Sequence, residues 1–224
     1  MNKYIKYSNI KSLIIVFITF FFMSCNKDFL NKNPLDQISS PTFWQTQNDA
    51  DMALAGCYSR LNCNTFNYNG NMSLDIMAGD ACEGAQSLGS SSTGSFALGM
   101  IFPTSGGILS NVYSDCYNGI STCNIFLANI DRVSIPDATK TEYKAEVLFL
   151  RALFYFTLSD FYGGVPLYTV PPATIADAEI KQSSKDSVVA QVLADLRVAI
   201  TNLPNTAYDG HAVKGSALAL ESRV

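Results

Sequence analysis

The chain has 224 residues, of which only 15% are charged, and its formal net charge is −4. The first 24 residues contain three of the 15 basic residues and no acidic one, so the remainder carries about −7. This balance argues against a nucleic-acid partner, because few basic side chains are available to displace counterions from phosphates.

The N-terminus has the features of a secretory signal. Three lysines precede the apolar run Leu13–Met23, which has signal-peptide length and is too short to span a bilayer. The run ends at Ser24-Cys25, a small residue directly before cysteine, which resembles a bacterial lipobox. We therefore predict cleavage after Ser24 and lipidation of Cys25 with several acyl (palmitate) chains, which together anchor a protein stably. The alternative is an ordinary signal peptide with an incidental cysteine.

These features divide the chain into three predicted parts. Residues 1–24 are a lipoprotein signal peptide, residues 25–40 a lipidated tether, and residues 41–224 a helical domain. The tether is rich in Asn, Lys and Pro, a composition typical of a linker.

The cysteines do not form an obvious metal or disulfide framework. Lipidation of Cys25 leaves five cysteines, an odd number that cannot pair completely. Cys116 and Cys123 share one face of a predicted helix about 10 Å apart, too far to bridge each other, and we expect both to be buried small hydrophobes. Because His211 is the only histidine and no CxxC motif occurs, we predict no metal site and no cofactor. The disulfide state of the remaining cysteines stays open.

Hydrophobic periodicity predicts an all-α fold. Trp44, beside Phe43 at the start of the first helix, is expected to be a packing anchor. A Ser183-x-x-Asp186 capping box is expected to start the fourth helix. The predicted helices are Asn48–Leu61, Ser105–Arg132, about Thr139 to Gly163, Ser183 to Pro204, and a last one from Lys214.

The segment Glu142–Leu167 is apolar on more than one side of a helix, so it must be covered on several sides. Its Ala145-x3-Phe149-x2-Ala152 spacing matches the second helix of a tetratricopeptide repeat, although the expected proline is replaced by Thr157. The fold is therefore predicted to be built from divergent tetratricopeptide-like repeats.

Three polar residues of the helical core are expected to be structural. Glu146 and Arg151 are predicted to pair with each other or to cap neighbouring elements. Asn124, on the apolar seam of its helix, is expected to bond a neighbouring backbone.

A long irregular excursion, Asn62–Gly107, contains the candidate ligand contacts. Asn, Ser and Gly dominate it, and such long loops are usually functional or disordered. A flat aromatic ring beside amides and carboxylates suits a neutral sugar, whose C–H face stacks while its hydroxyls are bridged. The alternative is a solvated Asn-Gly turn. The candidate glycan-binding residues are Tyr68, Asn69, Asn71, Asp75 and Asp80.

Taken together, the motifs resemble the SusD/RagB family of outer-membrane nutrient-binding lipoproteins. The resemblance covers the whole chain but only the N-terminal half of such a protein, and the last helix lacks a stop signal, so we expect a truncated protein. Two departures are Tyr113, where the family often has tryptophan, and Glu221, where an apolar residue is usual. The motifs are Ser24-Cys25 with Phe29-Leu30 and Pro34; Phe43-Trp44, Ala53, Gly56 and Tyr58; Tyr117, Ile120 and Asn124; Glu146–Ala152 with Tyr155, Phe156, Gly163, Val165 and Pro166; Asp195-Leu196 and Leu203-Pro204; and Lys214–Val224.

The resemblance implies a non-enzymatic function. Such proteins lie on the outer membrane surface, held by lipid, over a TonB-dependent (SusC-like) barrel transporter. They capture oligosaccharides and deliver them to the barrel. The resemblance therefore implies an oligosaccharide ligand, a transporter partner and a membrane anchor at Cys25, but it does not identify the glycan.

Two other functions remain open from the sequence. One is a helical-repeat interaction or peptide-capture lipoprotein, which shares every repeat feature. The other is a glycan hydrolase using Asp75, Asp80 or Glu83, but loop spacing does not reveal the carboxylate separation that such chemistry requires. A serine hydrolase would depend on His211, and no GxSxG motif occurs.

Overall fold

The computed structural model describes residues 43–63, 65–66, 92–100, 102, 107–206 and 209–224. Cys25 and the candidate glycan-binding residues Tyr68, Asn69, Asn71, Asp75 and Asp80 lie outside these ranges, as do the predicted signal peptide and tether. The unit formed by Trp44–Val224 is the one described below.

The fold is all-α, as predicted, and no strand occurs in the described part of the chain. None of its helices is both long enough and apolar enough to cross a bilayer. Single 3₁₀ turns extend two of the helices, at Arg60–Asn62 and Ile130–Arg132. The α-helices are α1 (Gln47–Ser59), α2 (Ser92–Ala97), α3 (Ile108–Asn129), α4 (Asp137–Tyr162), α5 (Ile175–Ala178), α6 (Lys185–Asn202) and α7 (Lys214–Glu221).

Local capping determines where two of the helices start. At α1, Asp49 N–H donates to Thr46 Oγ1 (3.3 Å) and Thr46 N–H donates to Asp49 Oδ2 (2.8 Å), which forms a reciprocal capping box. Backbone hydrogen bonds from Thr46 and Gln45 lower the pKa of Asp49. These bonds satisfy N–H groups that have no partner within the helix.

The predicted capping box at Ser183 is wrong by one residue. Ser184 is the N-cap of α6, and its Oγ accepts from Ser187 N–H at 3.2 Å. Ser183 is engaged elsewhere, because its N–H donates to Val165 O (3.1 Å) and its carbonyl lies against Gly164. The tertiary contact with the segment after α4 therefore displaces the cap.

Helix α4 is the central element of the core. It packs against α3 on one side and α6 on the other, and also contacts α1. Gly163 ends the helix with φ 71°, a left-handed conformation that favours glycine. The prediction of a helix covered on several sides is confirmed. Its fully buried apolar residues are Ala145, Val147, Leu150, Ala152, Phe154, Tyr155 and Leu158.

Small residues allow α3 and α4 to approach closely. A Cβ added at Gly119 would lie 2.5 Å from the Phe154 ring, so no side chain fits there without displacement. Near the C-terminal end of α3, Trp44 is buried and meets Phe126 edge-on, with ring centroids 5.6 Å apart. The packing role predicted for Trp44 is confirmed.

Cys116 and Cys123 lie on the buried face of α3. Both are free thiols and completely buried, so their predicted packing role is confirmed.

Candidate functional site

The described start of the irregular excursion is fixed to the helical core. Thr65 is completely buried, and both its N–H (3.1 Å) and its hydroxyl (2.7 Å) donate to Asp115 Oδ2 on α3. The next residue, Phe66, meets the Phe154 ring edge-on at 5.5 Å. Thr65 and Phe66 are therefore fixed to the helical core, and Phe66 precedes Tyr68 by two residues in the sequence.

The far side of the excursion exposes apolar side chains. Helix α2 is followed by two turn bonds, Leu98 N–H to Gly94 O (3.0 Å) and Met100 N–H to Ser95 O (2.8 Å). Leu98, Met100 and Phe102 are all exposed, Phe102 by 65%.

Four tyrosines, Tyr113, Tyr117, Tyr162 and Tyr168, form a connected group that we call the tyrosine cluster. Tyr113 lies 4.7 Å from Tyr117 and 5.5 Å from Tyr162 between ring centroids, and Tyr117 lies 5.9 Å from Tyr168. Tyr113 is 41% exposed. The Tyr117 and Tyr162 rings thus hold the accessible Tyr113 ring in place. This favours stacking of a ligand on Tyr113, because little side-chain entropy is lost on binding.

Backbone acceptors orient the less exposed members of the cluster. Tyr117 Oη donates to Pro166 O at 2.8 Å, and Tyr162 Oη donates to Leu109 O. Burial raises the pKa of Tyr162 to about 12. Burial, together with the neighbouring Tyr113, also raises the pKa of Tyr117. Both hydroxyls are therefore neutral hydrogen-bond donors at physiological pH.

A buried polar network lies beside the cluster and supports it. Asn124 Nδ2 donates to Tyr168 O (2.7 Å), while Arg151 Nη1 donates to Asn124 Oδ1 (2.8 Å). The predicted backbone bond of Asn124 is thereby confirmed. A small cavity of about 150 Å³ adjoins this network and is lined by Tyr117, Ile120, Ser121, Asn124, Tyr168, Pro171, Pro172 and Ala178.

Glu146 and Arg151 do not pair with each other, and that part of the prediction is wrong. Arg151 forms its ion pair with Asp195 of α6, whereas Glu146 accepts from Tyr58 Oη and lies 2.7 Å from His211 Nδ1. Five positions apart on α4, the two side chains face different neighbours. Each therefore connects α4 to another element, as the alternative prediction of caps for neighbours anticipated.

A second, larger cavity of about 400 Å³ adjoins the Glu146–His211 pair. Ala212 N–H donates to Tyr58 Oη (2.8 Å), so the loop before α7 is attached to α1. Glu146 is completely buried, and Tyr58 and His211 provide hydrogen-bond partners for its carboxyl group. The lining residues are Asp51, Leu54, Ala55, Tyr58, Tyr143, Asp209, Gly210 and His211.

The chemistry of these sites suits binding. Exposed aromatic faces beside backbone carbonyls and hydroxyls bind neutral polar ligands by stacking and hydrogen bonding. Within the described ranges, no three His, Cys, Asp or Glu side chains are grouped so that they could hold a metal ion. The acidic residues of the hydrolase alternative, Asp75, Asp80 and Glu83, lie outside those ranges.

Sequence reasoning missed the tyrosine cluster as a candidate site. It named Tyr113 and Tyr117 only in the family resemblance, and gave no role to Tyr162 or Tyr168. The four-residue spacing of Tyr113 and Tyr117 was a usable signal, because residues four apart share a helix face. Only the fold brings Tyr162 and Tyr168 to that face.

Comparison with known families and structures places this helical scaffold in a defined class. The protein-family model for SusD-like proteins, described as "Starch-binding associating with outer membrane", matches residues 28–224. The chain therefore belongs to the SusD-like family, an outer-membrane-associated family.

Two curated relatives show the length of such proteins. SusD-like protein P25 of Formosa agariphila is 27% identical over 223 residues, which are 95% of this chain and 42% of that protein. SusD-like protein P38 of the same organism is 29% identical, over 98% of this chain and 42% of that protein. The chain thus spans about two-fifths of the length of these curated relatives.

Solved structures share the helical arrangement. A SusD-like protein from Bacteroides fragilis superimposes with a TM-score of 0.70 and 29% identity, covering 86% of this chain and 37% of that one. A laminarin-binding SusD-like protein gives a TM-score of 0.70 and 29% identity, covering 80% of this chain and 40% of that one. The tetratricopeptide-like all-α fold is confirmed by this likeness.

Proposed function

We propose that this chain is the helical portion of a surface glycan-binding lipoprotein that captures oligosaccharides and delivers them to a TonB-dependent outer-membrane transporter. The observation that carries the proposal is the family match across residues 28–224. The 29%-identical structure of a laminarin-binding SusD-like protein supports a glycan ligand.

The tyrosine cluster supports the stacking part of the proposal. Tyr113 offers an exposed ring face, and its neighbours prevent it from rotating away. A pyranose ring with axial C–H bonds presents an apolar face of similar size, and stacking removes both faces from water. In this arrangement Tyr113 contacts the sugar ring, and Tyr117 and Tyr162 only position it.

The excursion contributes the polar contacts. Tyr68, Asn69, Asn71, Asp75 and Asp80 supply a second ring, amides and carboxylates, which together donate to and accept from sugar hydroxyls. The anchoring of Thr65 and Phe66 on α3 and α4 supports this role, because a fixed starting point lowers the entropy lost when the segment binds.

Capture requires no chemistry in this protein. Binding to neutral hydroxyls is reversible, so the ligand can be transferred to the transporter. The acyl chains on Cys25 hold the protein at the outer membrane surface, next to the barrel. Transport is then energised through the barrel.

A panel of neutral oligosaccharides, including laminari-oligosaccharides, tests the binding step by calorimetry on the full-length protein. We expect at least one glycan to bind without being cleaved. Binding to none of them, with the transporter still co-purifying, would favour the interaction or peptide-capture alternative. Cleavage that is abolished by Asp75→Asn or Asp80→Asn would favour the hydrolase.

Metabolic labelling with a fatty-acid analogue tests the anchor. We expect label on the wild-type protein and on Cys63→Ala, but none on Cys25→Ala. Label that persists on Cys25→Ala contradicts lipidation at that residue.

A further inference from the structure

The cavity of about 400 Å³ between α1, α4 and the loop before α7 has no part in the proposed function. Its volume lies in the range of about 300–1,000 Å³ that small-molecule sites occupy, whereas that of the 150 Å³ cavity does not. Leu54 in its lining is buried, while Asp51, Asp209 and Gly210 are exposed. The cavity therefore has an apolar floor and opens to solvent beside the two carboxylates.

Three rings in the lining are held by hydrogen bonds at their edges. Tyr58 Oη donates to Glu146 Oε2. Tyr143 Oη donates to Asp51 Oδ1. The His211 ring has its Nδ1 2.7 Å from Glu146 Oε2 and meets the Tyr58 ring edge-on, with centroids 5.3 Å apart. Rings fixed in this way can pack against a ligand with little loss of side-chain entropy.

The charged groups of the lining are acceptors. Asp51 and Asp209 are carboxylates, which accept hydrogen bonds but do not donate them, and the described lining contains no lysine or arginine. Burial and the hydrogen bond to Asp51 raise the pKa of Tyr143 to about 12, so its ring stays neutral at physiological pH. A ligand that suits this lining supplies hydroxyl donors, presents an apolar face to the rings and carries no acid group.

We propose that this cavity is a second saccharide site, which binds one neutral sugar ring. The C–H face of a pyranose packs against the tyrosine rings, and its hydroxyls donate to Asp51 and Asp209. An acidic sugar is excluded, because its charge would meet these carboxylates and the described lining offers no basic side chain to offset them.

This site is separate from the tyrosine cluster. Tyr143 of the cavity and Tyr162 of the cluster are 19 positions apart on α4, which corresponds to about 28 Å along the helix axis. One sugar ring cannot contact both. The assignment depends on the lining of the cavity and not on the proposed function, so each can fail alone.

The only histidine of the 224 residues gives a measurement specific to this site, because His211 lines the cavity. Its ring Cε1–H resonance, assigned by its absence from His211→Gln, is followed by NMR while glucose, galactose, mannose or xylose is added at constant pH. We expect at least one of these sugars to shift the resonance along a saturating curve. Glucuronate, which differs from glucose by its acid group, should leave it unchanged.

Two variants test the lining. Asp209→Asn removes a charge but keeps a residue that tolerates the left-handed backbone at this position (φ 42°), and we expect the Kd of the sugar to rise about fivefold. Tyr143→Leu keeps an apolar side chain but removes the ring, and the Kd should rise by a similar factor of about five.

Two control variants lie outside the cavity. Asp186→Asn, the matched control, removes an exposed carboxylate at the start of α6 and should leave the Kd unchanged. Tyr113→Ala should also leave it unchanged, because Tyr113 belongs to the tyrosine cluster.

Failure of all four neutral sugars to shift the His211 resonance overturns the second site in the wild-type protein, whether or not any variant folds. A shift caused by ethanolamine but by none of the sugars would identify an ammonium site and overturn the saccharide assignment. Equal Kd values for the wild type, Asp209→Asn and Tyr143→Leu would also overturn it.

The same measurements separate this site from the proposed function. If the His211 resonance does not respond while Tyr113→Ala weakens oligosaccharide binding, only the second site is refuted. If sugars bind at His211 but the protein neither reaches the outer membrane nor associates with a transporter, only the proposed function is refuted.

Discussion

Arg151 of α4 and Asp195 of α6 form a two-point ion pair inside the helical core. Arg151 Nε and Nη2 each lie 2.7 Å from a carboxylate oxygen of Asp195, and both side chains are at least nine-tenths buried. Arg151 also donates to Asn124 Oδ1 (2.8 Å) and Thr169 O (3.1 Å). One guanidinium thus connects α3, α4, α6 and the segment that carries Tyr168.

This geometry predicts a large loss of stability when the charge of Asp195 is removed. Burial on its own would lower the pKa of Arg151, but hydrogen bonds to Asp195 raise it overall, so the guanidinium stays charged. In Asp195→Asn that charge is no longer compensated, and we expect a loss of about 3 kcal/mol in unfolding free energy. Tm should fall by about 10 °C, as followed by circular dichroism.

Arg197→Gln is the matched control, because Arg197 is an exposed charged residue on the same helix. We expect it to change the unfolding free energy by less than about 0.5 kcal/mol. If Asp195→Asn and Arg197→Gln unfold at the same temperature, the buried pair is not important for stability.

Replacement of two helical glycines by alanine should change the free energy of unfolding in opposite directions. In Gly119→Ala the new Cβ would lie 2.5 Å from the Phe154 ring, and we expect a loss of about 1–3 kcal/mol. In Gly56→Ala no atom lies within 4 Å of the new Cβ, so the higher helix propensity of alanine should stabilise α1 by up to about 1 kcal/mol. Urea unfolding compares the two, and equal changes would contradict the close approach of α3 and α4.

The elements with strong local signals could be predicted from the sequence. The seam of α3 and the apolar circumference of α4 follow from periodicity alone, and the structure has both. Asn124 could be assigned a backbone partner because an amide on an apolar face needs one. Which backbone it bonds, that of Tyr168, depends on the return of the chain after Gly163.

Contacts between residues far apart in the sequence explain why the other predictions were wrong or incomplete. The partner of Glu146 is His211, 65 positions away, and periodicity contains no information on such a contact. The cap at Ser184 instead of Ser183 follows from the bond between Ser183 and Val165. The tyrosine cluster depends in the same way on α4 packing beside α3, so composition alone does not show it.

Stability should decline at alkaline pH. Burial raises the pKa of Tyr155 to about 12, against about 10 in an unfolded chain. Tyr155 is neutral in the folded protein, so the stability that this gives is fully present below about pH 10. Between about pH 10 and pH 12 the unfolded chain ionises first, and the free energy of unfolding falls as pH rises.

Urea unfolding across this range, with tyrosinate absorbance followed in parallel, checks the alkaline transition. Tyr155→Phe should show a weaker dependence on pH. It should also be less stable near neutrality, because Tyr155 Oη bonds both Tyr168 O (3.0 Å) and Tyr168 N–H (2.7 Å). Ionisation of every tyrosine near pH 10 in protein that is still folded would contradict the burial effect.

Tyr68→Ala tests whether Tyr68 contributes to glycan binding or to the stability of the fold. If Tyr68 contacts the glycan and does not pack in the helical core, we expect weaker oligosaccharide binding with an unchanged Tm. Calorimetry and thermal unfolding on the same preparation give both quantities. A large fall in Tm would mean that Tyr68 belongs to the core.

Tyr113→Ala tests whether the tyrosine cluster provides the stacking surface. Removal of the exposed ring should weaken glycan binding about tenfold, or about 1.4 kcal/mol, a typical size for an aromatic contact. Tyr113→Phe keeps the ring and should keep most of the affinity. Ile125→Ala removes another exposed apolar side chain of α3, outside the cluster and both cavities, and should leave glycan affinity unchanged. Equal affinity of Tyr113→Ala and the wild type would exclude Tyr113 from the binding surface and leave the excursion alone as the candidate.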